Sequence, residues 1–156
     1  GATPFTLGAL RAARSAGALT VGIANNAGSP LALGAEVGLV LDTGPELVSG
    51  STRMKAGTAQ KIALNAFSTA VMVRMNKVFG NLMVDLRPTN AKLRRRALRI
   101  LLLATGADPS RAQEALEACA FEVKPAILGL LRGLTPEEAR ACLAACGGSV
   151  RRALHG

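Results

Sequence analysis

Apolar and polar residues alternate along the chain with two different textures, and the change falls near residue 88. At the start, Thr3-Pro4 reads as an N-cap followed by proline at the first helical position. Phe5, Leu7, Ala9, Leu10 and Ala13 then form a helical stripe that stops near Gly17. Ala18–Ala24 is an apolar run of strand length, broken by Asn25-Asn26 and Gly28-Ser29-Pro30. Leu31–Ala35 has room for a turn or two of helix. Val37–Leu41 predicts a second buried strand, ended by Asp42-Thr43-Gly44-Pro45. A long amphipathic helix is predicted from about Thr52 to Val78, with Met54, Thr58, Ile62, Asn65, Thr69 and Met72 near a 3.6-residue period. Gly80-Asn81 ends it, and Leu82–Leu86 predicts a third strand stopped by Pro88. This order predicts an α/β fold with an open parallel sheet, although three strands make a thin one.

After Thr89 the pattern is helical throughout. Thr89-Asn90 caps a basic helix, Ala91 to Ala104. Asp108-Pro109 opens another to about Ala120, and Val123-Lys124-Pro125 a third to Leu131. Thr135-Pro136-Glu137-Glu138 combines a hydroxyl cap, proline at N1 and two acids in the first turn. Gly147-Gly148-Ser149 ends that helix, and Val150–Leu154 makes a last turn. Two domains are therefore expected: 1–88, α/β, and 89–156, a small helical bundle.

Composition narrows the picture. The 156 residues are 49% hydrophobic and only 3% aromatic, with no Trp or Tyr, so a core of Leu, Val, Ile, Ala and Met is expected. Net charge is +9, from 8 basic and 4 acidic residues in 1–88 and 11 and 6 in 89–156. The excess is spread rather than gathered in a tail. With so few aromatics to stack on bases, nucleic acid is an unfavoured partner. The Arg94-Arg95-Arg96 run, with Lys92 and Arg99, reads as a solvated helix face in preference to a polyanion patch. No apolar run approaches the ~20 residues of a membrane span, so no membrane partner is expected. Cys119, Cys142, Cys146 and the lone His155 do not make a zinc set. The cysteines read as small buried residues in a reducing cytoplasm. The chain starts without Met, directly at a helix-start pattern, which predicts a fragment or a processed form.

Candidate chemistry concentrates in residues 44–65, GPELVSGSTRMKAGTAQKIALN. Small residues let a ligand approach the backbone, hydroxyls supply hydrogen bonds and cations attract an anion. A following helix N-terminus adds unpaired N–H groups and partial positive charge. Ser49, Ser51, Thr52, Arg53 and Lys55 are thus candidate ligands for a small phosphorylated molecule, against an ordinary N-cap with solvated cations. Glu46 is the loop's only carboxylate. It could hold a sugar hydroxyl, act as acid or base, or satisfy first-turn N–H groups. Thr3 is a second candidate anion ligand or a plain cap. Asn25, Asn26 and Ser29 follow a strand C-terminus, where α/β sheets place ligands, but turn chemistry also explains them.

The same stretch closely resembles the shared signature of the N-acetylmuramic acid 6-phosphate etherases and the glucokinase regulatory protein. FSTAVMVRMNKVFGNLMVDLRPTN continues the similarity to the etherases, as does VKPAILGLLRGLTPEEARACLAACGGSVRRAL near the end. GATPFTLGALRAARSAGALTVGIANNAGSPLA resembles the second half of a sugar isomerase (SIS) domain. The resemblance implies a partial SIS-type α/β sandwich with a parallel sheet, followed by the helical bundle, usually in a homodimer. It implies a phosphosugar pocket to which Thr3, Glu46, Ser49, Ser51, Thr52, Arg53 and Lys55 contribute. The implied reaction is lyase cleavage of the D-lactyl ether of a phosphorylated amino sugar in cytoplasmic cell-wall recycling, with no metal or organic cofactor. The alternative it leaves open is a non-catalytic phosphosugar sensor like the regulatory protein. Etherases are about twice this length. The resemblance therefore places the catalytic glutamates ahead of Gly1, and it assigns no catalytic residue to this chain, which is expected to be inactive by itself.

Overall fold

Thr3, Ser29, Asn90, Asp108, Thr135 and Ser149 each stand immediately before a helix, where the pattern of small polar residues places them. The computed structural model describes all residues, 1–156. They form two units, Gly1–Ser68 and Thr69–Gly156.

The first unit contains α1 (Pro4–Ser15), β1 (Val21–Ala24), α2 (Pro30–Gly34), β2 (Val37–Val40) and most of α3 (Lys55–Arg74). β1 and β2 are parallel, with Val21 opposite Val37 and Ala24 opposite Val40. Ladder bonds continue past both ends, from Val37 N–H to the Thr20 carbonyl at 3.0 Å and from Leu41 N–H to the Ala24 carbonyl at 2.8 Å. α2 lies so close to this pair that only glycine fits beneath it. A Cβ on Gly22 would sit 2.3 Å from the Leu31 carbonyl oxygen, and one on Gly38 would sit 2.3 Å from that of Ala32. The Ser29 hydroxyl caps α2 by accepting from Ala32 N–H, and buried Thr20 accepts from Glu36 N–H at 3.1 Å.

Three expectations for this region need correction. β2 is exposed at all four positions rather than buried. It pairs only with β1, and a strand's apolar side chains are buried only when further elements cover its faces. α3 is a helix, but not an amphipathic one: Ala56 is its single buried residue. Its apolar side chains point around the cylinder, and Ile62, Leu64 and Phe67 are all more than half exposed. Finally, the helix ends at Arg74 instead of Val78. Asn76 takes the left-handed conformation, with φ of 58°, and breaks the helical run.

Leu82–Leu86 is not a third parallel strand. Val78–Phe79 (β3) and Leu82–Met83 (β4) form a short antiparallel hairpin around Gly80-Asn81, in the second unit. Two residues suffice to reverse the chain into an antiparallel neighbour, whereas a parallel strand needs a crossover of a dozen or more.

The helices of the second unit are α4 (Ala91–Thr105), α5 (Pro109–Ala118), α6 (Val123–Arg132), α7 (Pro136–Ala145) and α8 (Val150–His155), each close to its expected span. Thr135 and Glu138 complete a capping box at the start of α7. Gly106 and Gly133, both left-handed, end α4 and α6. Leu101, Leu116, Ile127 and Leu128 are fully buried, and Ala97, Ala112, Ala126, Ala139 and Ala153 let the helices approach closely. Val84 and Leu86 enter this core from the segment after the hairpin. Between them, Asp85 forms ion pairs with Lys77 and, at 2.9 Å, with Lys124 on α6. The methionines expected in the core are outside it, with Met54 74% and Met75 55% exposed. Alanine and branched residues fill the tight helix contacts without them. The α/β fold class with a parallel sheet, followed by a helical bundle, holds.

Candidate functional site

The C-terminal ends of β1 and β2, the loop 42–54 and the first turns of α3 enclose a cavity of about 400 Å³. Asn25, directly after β1, fixes the strand ends. Its Nδ2 donates to the Leu41 carbonyl at 3.0 Å, and its Oδ1 accepts from Gln60 Nε2 on α3. One side chain thereby ties both strands to the helix.

Glu46 organises the other wall. Its carboxylate accepts from the backbone N–H of Lys55, 3.1 Å from each oxygen, and from that of Ala56 at 3.0 Å. Lys55 Nζ returns to the Pro45 carbonyl at 2.9 Å. The loop is clamped to the helix it precedes, and a carboxylate nine residues upstream acts as the cap. Anionic charge at a helix N-terminus is favourable because the first N–H groups have no intrahelical acceptor. The amides that the sequence offered to a phosphate are thus engaged by the loop's own acid.

Of the residues singled out in the sequence, Glu46, Ser49 and Thr52 line the cavity, while Thr3, Ser51, Arg53 and Lys55 do not. Thr3 caps α1 by position, but its side chain makes no capping hydrogen bond. Its carbonyl accepts from Thr6 Oγ1 at 2.8 Å. Gly1, two residues earlier, does reach the cavity. Ser29 is a buried helix cap, as turn chemistry suggested. Asn26 lines the cavity beside Asn25.

Thr43 and Gln60 also line the cavity, and sequence reasoning passed over both. Gln60 is one turn beyond Ala56, so the helical period puts the two on one face. That signal emerges only once the start of α3 is fixed at Lys55. Glu46 is the one charged side chain of the lining. The remaining polar groups are hydroxyls and carboxamides, which suit a ligand rich in hydroxyl groups. A single carboxylate held by backbone amides offers no acid–base pair.

No three His, Cys, Asp or Glu side chains are grouped to hold a metal. Cys119 is buried and its thiol pKa is raised by desolvation; Cys142 and Cys146 are half-buried, and all three are free. No helix is long and apolar enough to cross a membrane.

A parallel strand pair, a ligand-sized cavity at its C-terminal ends and a glycine- and hydroxyl-rich loop opening a helix fit a partial α/β, SIS-like fold. By sequence, the chain is similar to proteins named N-acetylmuramic acid 6-phosphate etherase. It is 56% identical to the protein of that name from Deinococcus radiodurans, 57% to that from Rubrobacter xylanophilus and 51% to that from Yersinia pestis. Each match covers 99% of this chain. The chain spans about half the length of these curated relatives, 50% of the first two and 52% of the third. No family model matches it.

Proposed function

We propose that the chain is the phosphosugar-binding portion of a lyase. The enzyme would cleave the D-lactyl ether of N-acetylmuramic acid 6-phosphate to N-acetylglucosamine 6-phosphate and D-lactate. The observation that carries this reading is the coincidence of the cavity with residues 44–65, within a sequence 51–57% identical to proteins named for that etherase. In such a reaction, opening of the sugar ring makes the proton on carbon 2 acidic. A base removes it, lactate leaves from carbon 3, and water then adds back. That requires two tuned proton-transfer groups. With one helix-bound carboxylate in the lining, the role assigned to these residues is holding the sugar rather than breaking its bond.

In this reading Glu46, Ser49 and Thr52 meet the sugar from the cavity wall. Thr3, Ser51, Arg53 and Lys55 complete the phosphosugar site when it is occupied. Residues 1–88 form the binding part and 89–156 the helical part of the enzyme, working in the cytoplasm as a homodimer in cell-wall sugar recycling.

Titration calorimetry with N-acetylglucosamine 6-phosphate tests it. Thr52→Val and Ser49→Ala should each weaken binding about fivefold, the worth of one hydrogen bond near 1 kcal/mol. Both variants binding as tightly as the parent, with unchanged circular dichroism, would remove the loop from the site. Equal affinity for the sugar without its phosphate would overturn the phosphosugar reading.

A further inference from the structure

The helical unit carries a second concavity, of about 560 Å³, between the β3–β4 hairpin and one face of α4. Arg95, Arg99 and Leu103 follow one another at four-residue spacing and so form a single row along the helix. Arg96 flanks that row, and Leu82 and Met83 of the hairpin form the opposite bank. Leu103 is 64% exposed and Met83 43%. The groove is therefore an exposed apolar strip bordered by three guanidinium groups.

Lys92, Arg111, Arg151 and Arg152 also lack a carboxylate partner, but Arg95, Arg96 and Arg99 are the cations gathered on this groove. Lys77 and Lys124 share Asp85, Arg140 pairs with Glu122 and Glu137, Arg132 donates to the Ala153 carbonyl, and Arg94 lies 4.8 Å over the Phe121 ring. Arg95, Arg96 and Arg99 have no carboxylate within salt-bridge distance, and all three are exposed. Residues 69–156 hold 14 basic and 7 acidic side chains, so the unit is strongly positive as a whole.

We infer that this face docks an acidic amphipathic segment of another polypeptide. Its apolar side would cover Leu82, Met83 and Leu103, and its carboxylates would meet Arg95, Arg96 and Arg99. Charge complementarity selects this occupant. Guanidinium pairs with carboxylate in a planar fork, and a helix laid in a groove presents apolar and acidic rows side by side. A second copy of this chain, at +9, would bring like charge to the groove. A nucleic acid would use the cations, but it would find leucine and methionine where it needs aromatic platforms.

Fluorescence anisotropy tests the inference with a labelled helical peptide of Glu, Ala and Leu, about four turns long, its leucines on one face, at about 150 mM salt. Binding should weaken at least about tenfold when Arg95, Arg96 and Arg99 are all changed to Glu. Leu103→Ser should weaken it about threefold or more. Changing the exposed Arg11, Arg111 and Arg151 to Glu instead should leave it within about twofold. An equal loss in this control overturns the inference, as does equal binding of the same peptide with its leucines scattered. Tighter binding of a single-stranded oligonucleotide of equal charge overturns it in favour of nucleic acid. Self-association abolished by the Arg95, Arg96 and Arg99 changes overturns it in favour of a second copy. If the triple variant fails to fold, Arg99→Glu against Arg99→Lys decides the matter. The glutamate must lose affinity and the lysine largely keep it.

Discussion

Residues 69–156 bring Leu101, Leu116, Ile127, Leu128, Val84, Val123 and Val150 to complete burial, whereas in residues 1–68 the only buried hydrophobic side chains are Ala24, Ala32 and Ala56. Many larger apolar residues of the first unit, from Leu47 at 94% to Val21 at 37%, face solvent, and Leu7, Leu10, Ile23, Leu31 and Leu41 are half-buried. What orders the first unit is polar and steric: Asn25 bridging the strand ends, Glu46 on the start of α3, Thr20 and Ser29 on turn amides, and glycine beneath α2. The candidate site lies in the unit held by directional contacts, and the apolar core lies in the other. Hydrogen bonds fix geometry but contribute little net stability, while apolar burial contributes stability with little direction.

The sharpest test of that contrast is truncation of a large apolar side chain in each unit. Leu101→Ala should destabilise the helical unit by about 2–5 kcal/mol, the cost of lost burial plus a cavity. Ile62→Ala, at a site 62% exposed, should stay within about 0.5 kcal/mol. Denaturant unfolding followed by hydrogen exchange in each unit reads both, and a comparable cost at Ile62 would break the comparison.

Next in size is Gly38→Ala, which should cost the first unit about 1–3 kcal/mol by overpacking against the Ala32 backbone. Exchange protection should fall at Val21–Ala24 and stay unchanged in α4–α8. Unaltered protection of β1 would mean that α2 can lift off the sheet at no cost.

Asp85→Asn should cost about 1 kcal/mol, a modest figure because the carboxylate is 33% exposed and screened by solvent. The hydrogen bond from Lys77, joined by that from Lys124, holds the Asp85 pKa below its ordinary value of 3.8 despite partial desolvation. The folded state therefore binds a proton less readily than the unfolded chain. The stabilisation is fully present above the ordinary value and is lost as pH falls below it, through the folded-state pKa. The parent's unfolding midpoint should drop over that interval more steeply than that of Asp85→Asn, and parallel curves would deny the ion pairs a role.

The smallest effect expected is that of Glu46→Gln, about 0.5 kcal/mol, from a weaker acceptor at the α3 N-terminus. Protection of the Lys55 and Ala56 amides should fall first. Intact protection would show that the loop is positioned without the charge.

The helical unit was the more legible from sequence because its signals are local. Thr135 to Glu138 forms a capping box wherever the rest of the chain lies, and Gly106 and Gly133 stop helices because they accept a left-handed conformation cheaply. The loop at 44–65 was legible as a region, since its glycines, hydroxyls and charges crowd one turn. Its division into wall and exterior was not. Ser49 and Thr52 line the cavity while Ser51 between them does not, and no property of the residue types separates them. Gln60 was unreadable as a lining residue because a glutamine on a helix has no fixed partner until Asn25, 35 positions away, is brought beside it.

The amino-acid sequence by itself determined where the helices of the second unit begin and end, that the fold is α/β followed by a helical bundle, and that glycines, hydroxyls and charges crowd the loop at 44–65. Caps, proline, glycine and hydrophobic period act within a few residues and need no tertiary context. Only the tertiary structure decided that Leu82-Met83 turns back as a hairpin, that β2 and α3 are largely exposed, and that Glu46 takes the Lys55 and Ala56 amides at the start of α3. Those outcomes depend on which distant groups reach each other. Strand pairing, burial and charge neutralisation are relations between segments, and the same residues would give other answers with other neighbours.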